Sequence, residues 1–454
     1  MAFSFVTLSA LIVSAAAQTS GSFSLLSYNV AGLPEIWSSG NPKVNTPLIS
    51  PRLGPYNIIN VQEDFNYHDA LYANDSHPFR TPTSGIAGTG SGLNTLSDFP
   101  YFDLDRVKWS SCNLNGGDCL TPKGFTFARI RVRDGFWLDL YNLHGDAGDD
   151  VDDINARASN LAQLTSYIES ESAGMPIVIM GDTNTRYTRI GDSESLHSLI
   201  DGLGVTDAWV SAIRGGSFPV ENAEPLVCDF PFTSGTTQAE MVACEVVDKI
   251  FVRNGSAVSF ESVTFTNEND AFVDDAGAPL SDHYPISSVI SWTLSSSMRL
   301  GDYVGGTDGY FFNDLSSNPP AVPQISSLTI RSDSRVHSLS YGASYTFGNS
   351  TTIMYVHRGG DGGIPVTLDL DSDEYVYKMT ACVGTSNDSN SIFYISFTTN
   401  HERVLSGGVI TSNCTTMTTP TDVIVDGVNW GLVGFWGRMG VELYRLGAIW
   451  GAAY

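Results

Sequence analysis

Residues 176–187 read PIVIMGDTNTRY. The stretch opens as a β-strand, Ile177 to Met180, and closes on Gly181, Asp182 and Asn184. One such ending is explained by an ordinary Asx turn. It is equally the form of a strand that holds a carboxylate and an amide at the rim of a sheet. A single stretch leaves both readings open.

The ending recurs along the chain. SLLSYN stops at Asn29, NIINVQE at Glu63 and WLDLYNLH at His144, while Asp248 precedes KIFV and Asp282 with His283 precedes YPISSVI. With PIVIMGD these make six apolar strands, each carrying a carboxylate, amide or imidazole at one end. Strands bury their bodies and present their ends, so such residues can converge on one rim of a packed sheet. Six coincident turns explain the pattern less well.

The residue types suggest a chemistry. Glu63 and the aspartates are hard oxygen ligands of the kind that hold magnesium beside a phosphate. Asn29 and Asn184 are neutral donors for phosphoryl oxygens, and His144 and His283 can supply a base and a proton or hydrogen bond. No serine elbow, catalytic-cysteine pattern or Walker loop occurs, which leaves activated water as the nucleophile. Asp282 and His283 are adjacent, and consecutive side chains on an extended chain point to opposite sides. Asp248 is therefore the expected partner of His283. Asp146, in NLHGDAG, is either an additional site residue or, as expected, an exposed loop acid, and the glycine-rich TSGIAGTGSGLNTL (83–96) is a flexible or substrate-flanking loop.

At 454 residues the chain is long enough for two domains. Strands alternate with a helix-like segment up to about residue 294; VDDINARASNLAQLTSYIESES (151–172) places Ile154, Leu161, Leu164 and Ile168 on one stripe. Beyond LSSSM, Gly, Ser, Thr and aromatic residues dominate, the texture of an all-β domain. The expected division is a signal peptide over 1–17, a first domain over 18–297 and a second over 298–454. Ala15 and Ala17 give the leader its cleavage signal, with Gln18 as the mature start.

Twenty-three basic against 49 acidic residues give a formal charge of −26, which opposes long-range attraction to nucleic acid or anionic lipid. The six cysteines fit export; pairing neighbours gives Cys112–Cys119, Cys228–Cys244 and Cys382–Cys414, although other connectivities are open. Sequons begin at Asn74, Asn254, Asn349, Asn387 and Asn413, as in a secreted glycoprotein.

SYNVAGLP, NVQED, SGLNTLSDFP, DCLTPKGF, YNLHGDAG, IMGDTN, VVDKIFV and SDHYP stand in the order found in the endonuclease/exonuclease/phosphatase superfamily. Residues 22 to about 292 resemble its secreted sphingomyelinase-like branch, which is also similar to pancreatic-type deoxyribonuclease. The resemblance implies a four-layer α/β sandwich that hydrolyses phosphoesters with Mg²⁺. By it, Glu63 is a metal ligand with Asp282 and Asn29, and His283 is the general base supported by Asp248. Asn184 and His144 would contact the phosphoryl group, and Asp182 would position the water. Apurinic endonucleases of the superfamily carry an aspartate two residues after the first asparagine, where this chain has Ala31. That departure leans toward the lipid-hydrolase branch.

In the second domain, GGTDGYFFND (305–314), HRGGDGG (357–363) and GFWGRMGVELYRLGAIW (434–450) resemble jacalin-related lectins, which fold as a β-prism of three sheets. Family members hold a sugar with a glycine loop and a terminal G-x-x-x-D loop, which places Gly306, Gly440 and Tyr444 at the carbohydrate site. Tyr444 occupies the aspartate's position, and a phenol lacks the bidentate acceptor geometry of a carboxylate. Trp436 and Tyr444 are expected to be exposed, open either to another ligand or to the first domain.

The leading expectation is a secreted phosphodiesterase acting on a phospholipid such as sphingomyelin at a membrane surface, with a lectin-like module whose binding of a glycan is left open by Tyr444. LPEIW (33–37) supplies apolar Leu33, Ile36 and Trp37 just after Asn29. One alternative is a deoxyribonuclease binding nucleic acid, whose groove would have to draw on Lys123, Arg129, Arg186 and Arg189. The other is a carbohydrate-binding protein on an inactive hydrolase scaffold.

Overall fold

The computed structural model describes residues 18–454 except Ser39, 224–225, 317–320, 348–349, 387–388 and 422–426. The expected leader and the sequons at Asn349 and Asn387 lie outside the described residues.

Two mixed sheets form the first half. One has the order Val258–Val263, Ile286–Leu294, Ser20–Asn29, Ile58–Gln62, Asn94–Ser97, Phe79–Arg80, with Thr266–Asn267 beside Ile286–Leu294. The other runs Tyr101–Lys108, Gly124–Arg133, Phe136–His144, Ile177–Asp182, Asp248–Arg253, Thr206–Asp207. Side-chain alternation along the strands builds the layers. Phe23, Leu25 and Ile58 pack against Phe125, Ile130 and Leu138 between the sheets. Leu26, Tyr28, Ile59 and Val61 face the other way, onto Ile49, Leu53 and Leu71 of the short helical segments. Helix Val151–Glu171 covers the outer face of the second sheet with Leu161, Leu164 and Ile168, all buried, and Asp192–Leu203 lies beside it. The result is a four-layer α/β sandwich.

A polar seam ties the sheets together near one rim. Asn60 Nδ2 donates to Tyr141 O (3.0 Å), Gln62 Nε2 to Asn142 Oδ1 (2.8 Å), and Asn142 Nδ2 to Val61 O (3.0 Å). Buried amides demand such partners, so the seam fixes how the two sheets slide against each other.

From Met298 onward three four-stranded antiparallel sheets surround one core that includes Leu328, Leu339, Ile395, Phe435 and Leu446, making a β-prism. The prism docks on the first half through Trp137, Met175, Phe311, Leu315, Trp436 and Ile449. Trp436 is fully buried there against Trp137 and Tyr303, not exposed as the sequence suggested. Its indole completes an apolar junction that no single-domain reading of the sequence could anticipate. Arg438 holds Glu171 at 2.6 and 3.2 Å, Arg131 holds Asp302 at 2.8 Å through two nitrogens, and Arg445 pairs with Asp103. Disulfides join Cys112–Cys119, Cys228–Cys244 and Cys382–Cys414. Among the described residues no helix is long and apolar enough to cross a membrane.

Candidate active site

Four parallel strand ends meet at the rim beside the polar seam. Ser20–Asn29 runs parallel to Ile58–Gln62, and Phe136–His144 runs parallel to Ile177–Asp182 with His144 in register with Asp182. Asp248 stands opposite Asp182 across the antiparallel pair. Glu63 and Asn184 follow their strands with positive φ, 57° and 53°, which turns each away from the sheet direction at the rim.

The side chains form one network. Asn29 Nδ2 lies 3.2 Å from both Glu63 Oε1 and Asp182 Oδ2. Asp182 Oδ2 is also 3.4 Å from His144 Nε2 and 3.6 Å from His283 Nε2. His283 Nδ1 is 2.9 Å from Asp248 Oδ2. Asn184 donates its backbone N–H to Asp182 Oδ1 at 2.9 Å and its amide to Gly145 O at 3.2 Å. Asp282 is exposed at the edge and acts on Glu63 and His283 through its charge. Gly306, Gly440 and Tyr444 lie apart from this rim, on the β-prism. There the Tyr444 ring packs so closely on Gly309 and Gly440 that a Cβ at either would come within 2.7 or 2.9 Å of it.

Two further residues, Lys123 and Asp146, lie beside this rim. Lys123 Nζ donates to Gly145 O (3.2 Å) and pairs with Asp118, whose loop is closed by Cys112–Cys119. The sequence offers Lys123 only as a nucleic-acid candidate, and its neighbours in DCLTPKGF give no hint of where its ammonium ends. Asp146 is buried rather than an exposed loop acid, accepting the Asn113 N–H at 2.8 Å, and burial pushes its carboxyl up to about 6. Trp109 anchors the adjoining His144 carbonyl at 2.7 Å, which draws that loop inward. Arg129 is sealed beneath the domain junction, bonded to Asp139 at 2.7 and 2.9 Å, and cannot line a nucleic-acid groove.

Burial and charge divide the titrating groups. Burial lowers His144 to about 3, reinforced by Lys123, so it is a neutral hydrogen-bonding group. Burial also disfavours charge on His283, but Asp248 and Asp182 outweigh it and raise its pKa well above the usual imidazole value. Asp182 is desolvated, yet the charges of His283 and Lys123 and the Asn184 N–H hold it below the usual carboxylate range. Burial raises Glu63 despite Lys123 and Asn29.

That last imbalance fits a hard divalent cation, because an incompletely neutralised carboxylate gains from added positive charge. Glu63 and Asp282, whose charges act on each other, could supply the oxygens. Asn29 turns its NH₂ toward two carboxylates and so serves as their donor in this conformation. Asp182, Asp248 and His283 also bring ligand atoms within 4.8 Å of one another, but those atoms are engaged in the His283–carboxylate pairing.

A cavity of about 800 Å³ reaches Glu63, Lys123 and His144 and opens between Leu33, Trp37, Phe65, Leu120 and the 147–153 segment. Its mouth carries exposed apolar side chains, Trp37 at 66% and Leu120 at 74% exposure, beside Asp149 and Asp150.

Residues 41–289 match the family described as Endonuclease/Exonuclease/phosphatase family 2. The chain belongs to that family. Within this endonuclease/exonuclease/phosphatase chain, residues 302–449 match the Jacalin-like lectin domain. The sphingomyelinase of Mycobacterium tuberculosis is 39% identical over 276 residues, covering 59% of this chain and 52% of that protein. The match thus spans about half the length of the curated relative. Among solved structures, beta toxin of Staphylococcus aureus is 16% identical, covering 59% of this chain and 99% of its own, with a TM-score of 0.42. A mannose-binding jacalin-related lectin from Ananas comosus is 18% identical, covering 35% of this chain and 100% of its own, with a TM-score of 0.29.

Proposed function

We propose that the protein is a secreted, Mg²⁺-dependent phosphodiesterase that hydrolyses a phospholipid of the sphingomyelin type at a membrane surface. The carrying observation is the union of a polar strand-end cluster with exposed apolar side chains at the mouth of one cavity. A headgroup phosphate fits the floor at Glu63, Lys123 and His144, while acyl chains would meet Trp37 and Leu120. The identity to a sphingomyelinase supports this choice of substrate.

Glu63 and Asp282 would hold the cation, which when bound polarises the phosphoryl oxygens and neutralises their charge. His144 and Asn184 would donate hydrogen bonds to those oxygens, and the Lys123 ammonium would balance the charge that builds on them. A water within hydrogen-bond reach of both His283 Nε2 and Asp182 Oδ2 would be oriented beside that pair. Deprotonated His283 accepts the proton of that water, and Asp248 fixes the ring through Nδ1 and stabilises the imidazolium formed.

The test is turnover of the full chain on sphingomyelin vesicles and on plasmid DNA, each with Mg²⁺ and with chelator. Mg²⁺-dependent release of the headgroup is the expected result. Cleavage of DNA alone would replace the lipid reading, and glycan binding without hydrolysis of either would favour an inert scaffold.

A further inference from the structure

A second concave surface lies at the domain junction, away from the catalytic rim. It is a groove of about 530 Å³ between the end of strand Gly124–Arg133, the start of Met298–Gly305 and the threonine-rich segment 415–421. The strand Phe136–His144 separates it from the catalytic rim by roughly 30 Å.

Three guanidinium groups, Arg131, Arg133 and Arg299, line the groove against two carboxylates, Asp134 and Asp302. Both carboxylates are taken by Arg131, at 2.5 and 2.8 Å. Arg133 rests over the Trp292 ring, 5.8 Å from its centroid, and its buried Nε has no hydrogen-bond acceptor among the described residues. Arg299 forms the buried floor, its Nη1 donating to Met298 O at 2.9 Å. Its stem passes Gly135 so closely that a Cβ there would come within 2.7 Å of Cδ. The opposite wall is strand Asn413–Thr418 and the threonines after it; Thr416 and Thr418 share the face turned away from buried Met417, and among the described residues this edge strand pairs with Val376–Ser386.

We propose that this groove binds an anionic saccharide, one carrying sulfate or carboxylate groups. Guanidinium forks match planar or tetrahedral oxyanions, and threonine hydroxyls match sugar hydroxyls. A positive excess here stands out on a chain with a net charge of −26. The concave shape admits a slender chain and excludes a flat bilayer. A nucleic-acid backbone would need a longer row of cations than the groove supplies.

The test uses the full chain with a sulfated heparin hexasaccharide, its desulfated counterpart and phosphatidylserine vesicles, read by calorimetry. Binding of the sulfated probe alone, weakening as salt rises, is expected. Arg133→Gln should weaken it at least tenfold and Thr418→Val a few-fold, while Arg80→Gln, on another face, leaves it unchanged. If Arg133→Gln lowers the melting temperature, Arg133→Lys and Thr418→Val carry the test, since both retain packing. Equal binding of the desulfated probe, binding of vesicles but not saccharide, or full affinity in both the Arg133 and Thr418 variants would overturn the proposal.

Discussion

His283 Nδ1 lies 2.9 Å from Asp248 Oδ2, a residue 35 positions earlier in the chain, while its sequence neighbour Asp282 sits exposed at the edge. Asp248 in turn faces Asp182 across two antiparallel strands, so one imidazole bridges two carboxylates. Those carboxylates raise the His283 pKa. Asp248→Asn removes the larger attraction, so the pKa should fall. A base works when deprotonated, and the acid limb of the pH–rate profile should therefore move to lower pH. The plateau should drop on the order of 100-fold. An acid limb that stays in place would remove His283 from the base role.

Glu63→Gln keeps the size of the side chain and removes the charge that burial leaves incompletely neutralised. Mg²⁺ binding measured by calorimetry should weaken, and turnover on vesicles should fall at least about 100-fold. Circular dichroism should not change, because the strand Ile58–Gln62 ends before this residue. Undiminished Mg²⁺ affinity would place the cation elsewhere.

Trp37 and Leu120 are exposed on separate loops of one cavity mouth. Burying such a side chain in an apolar phase contributes about 1.5–3 kcal/mol. Alanine at either position should reduce sedimentation with sphingomyelin vesicles by roughly 10–100-fold. Turnover of a water-soluble phosphodiester should be untouched. Equal losses on both substrates would mean that these residues shape the site itself.

The prism is joined to the sandwich by Arg445 and Asp103, nearly buried as a pair. Desolvation raises Asp103, but Arg445 and Arg129 outweigh it and hold the carboxyl below its usual range. A carboxyl depressed by folding stabilises above its unfolded pKa, about 4, and that stability is lost as pH falls through the folded value. Arg445→Gln should cost about 3 kcal/mol at pH 7, since it strands a buried charge. In thermal melts the gap between variant and wild type should narrow as pH falls below about 4. A gap independent of pH would show that the arginine acts by packing alone.

The sequence by itself determined which residues are strands and which polar groups end them. A four- to ten-residue apolar run with a carboxylate, amide or imidazole at its tip is a local pattern, and Asn29, Glu63, His144, Asp182, Asp248 and His283 all declare themselves that way. The helix 151–171 and the all-β character beyond residue 298 are equally local, written in periodicity and composition. Tertiary structure alone decided how those tips meet, because sheet-to-sheet registration rests on cross-sheet bonds from Asn60, Gln62 and Asn142 that are hundreds of atoms apart along the chain. It also decided the fates of Lys123, Asp146 and Trp436. A flexible ammonium, a loop carboxyl and an indole carry no periodicity that reports burial, and each was placed by a neighbour remote in sequence: Gly145, Asn113 and Trp137.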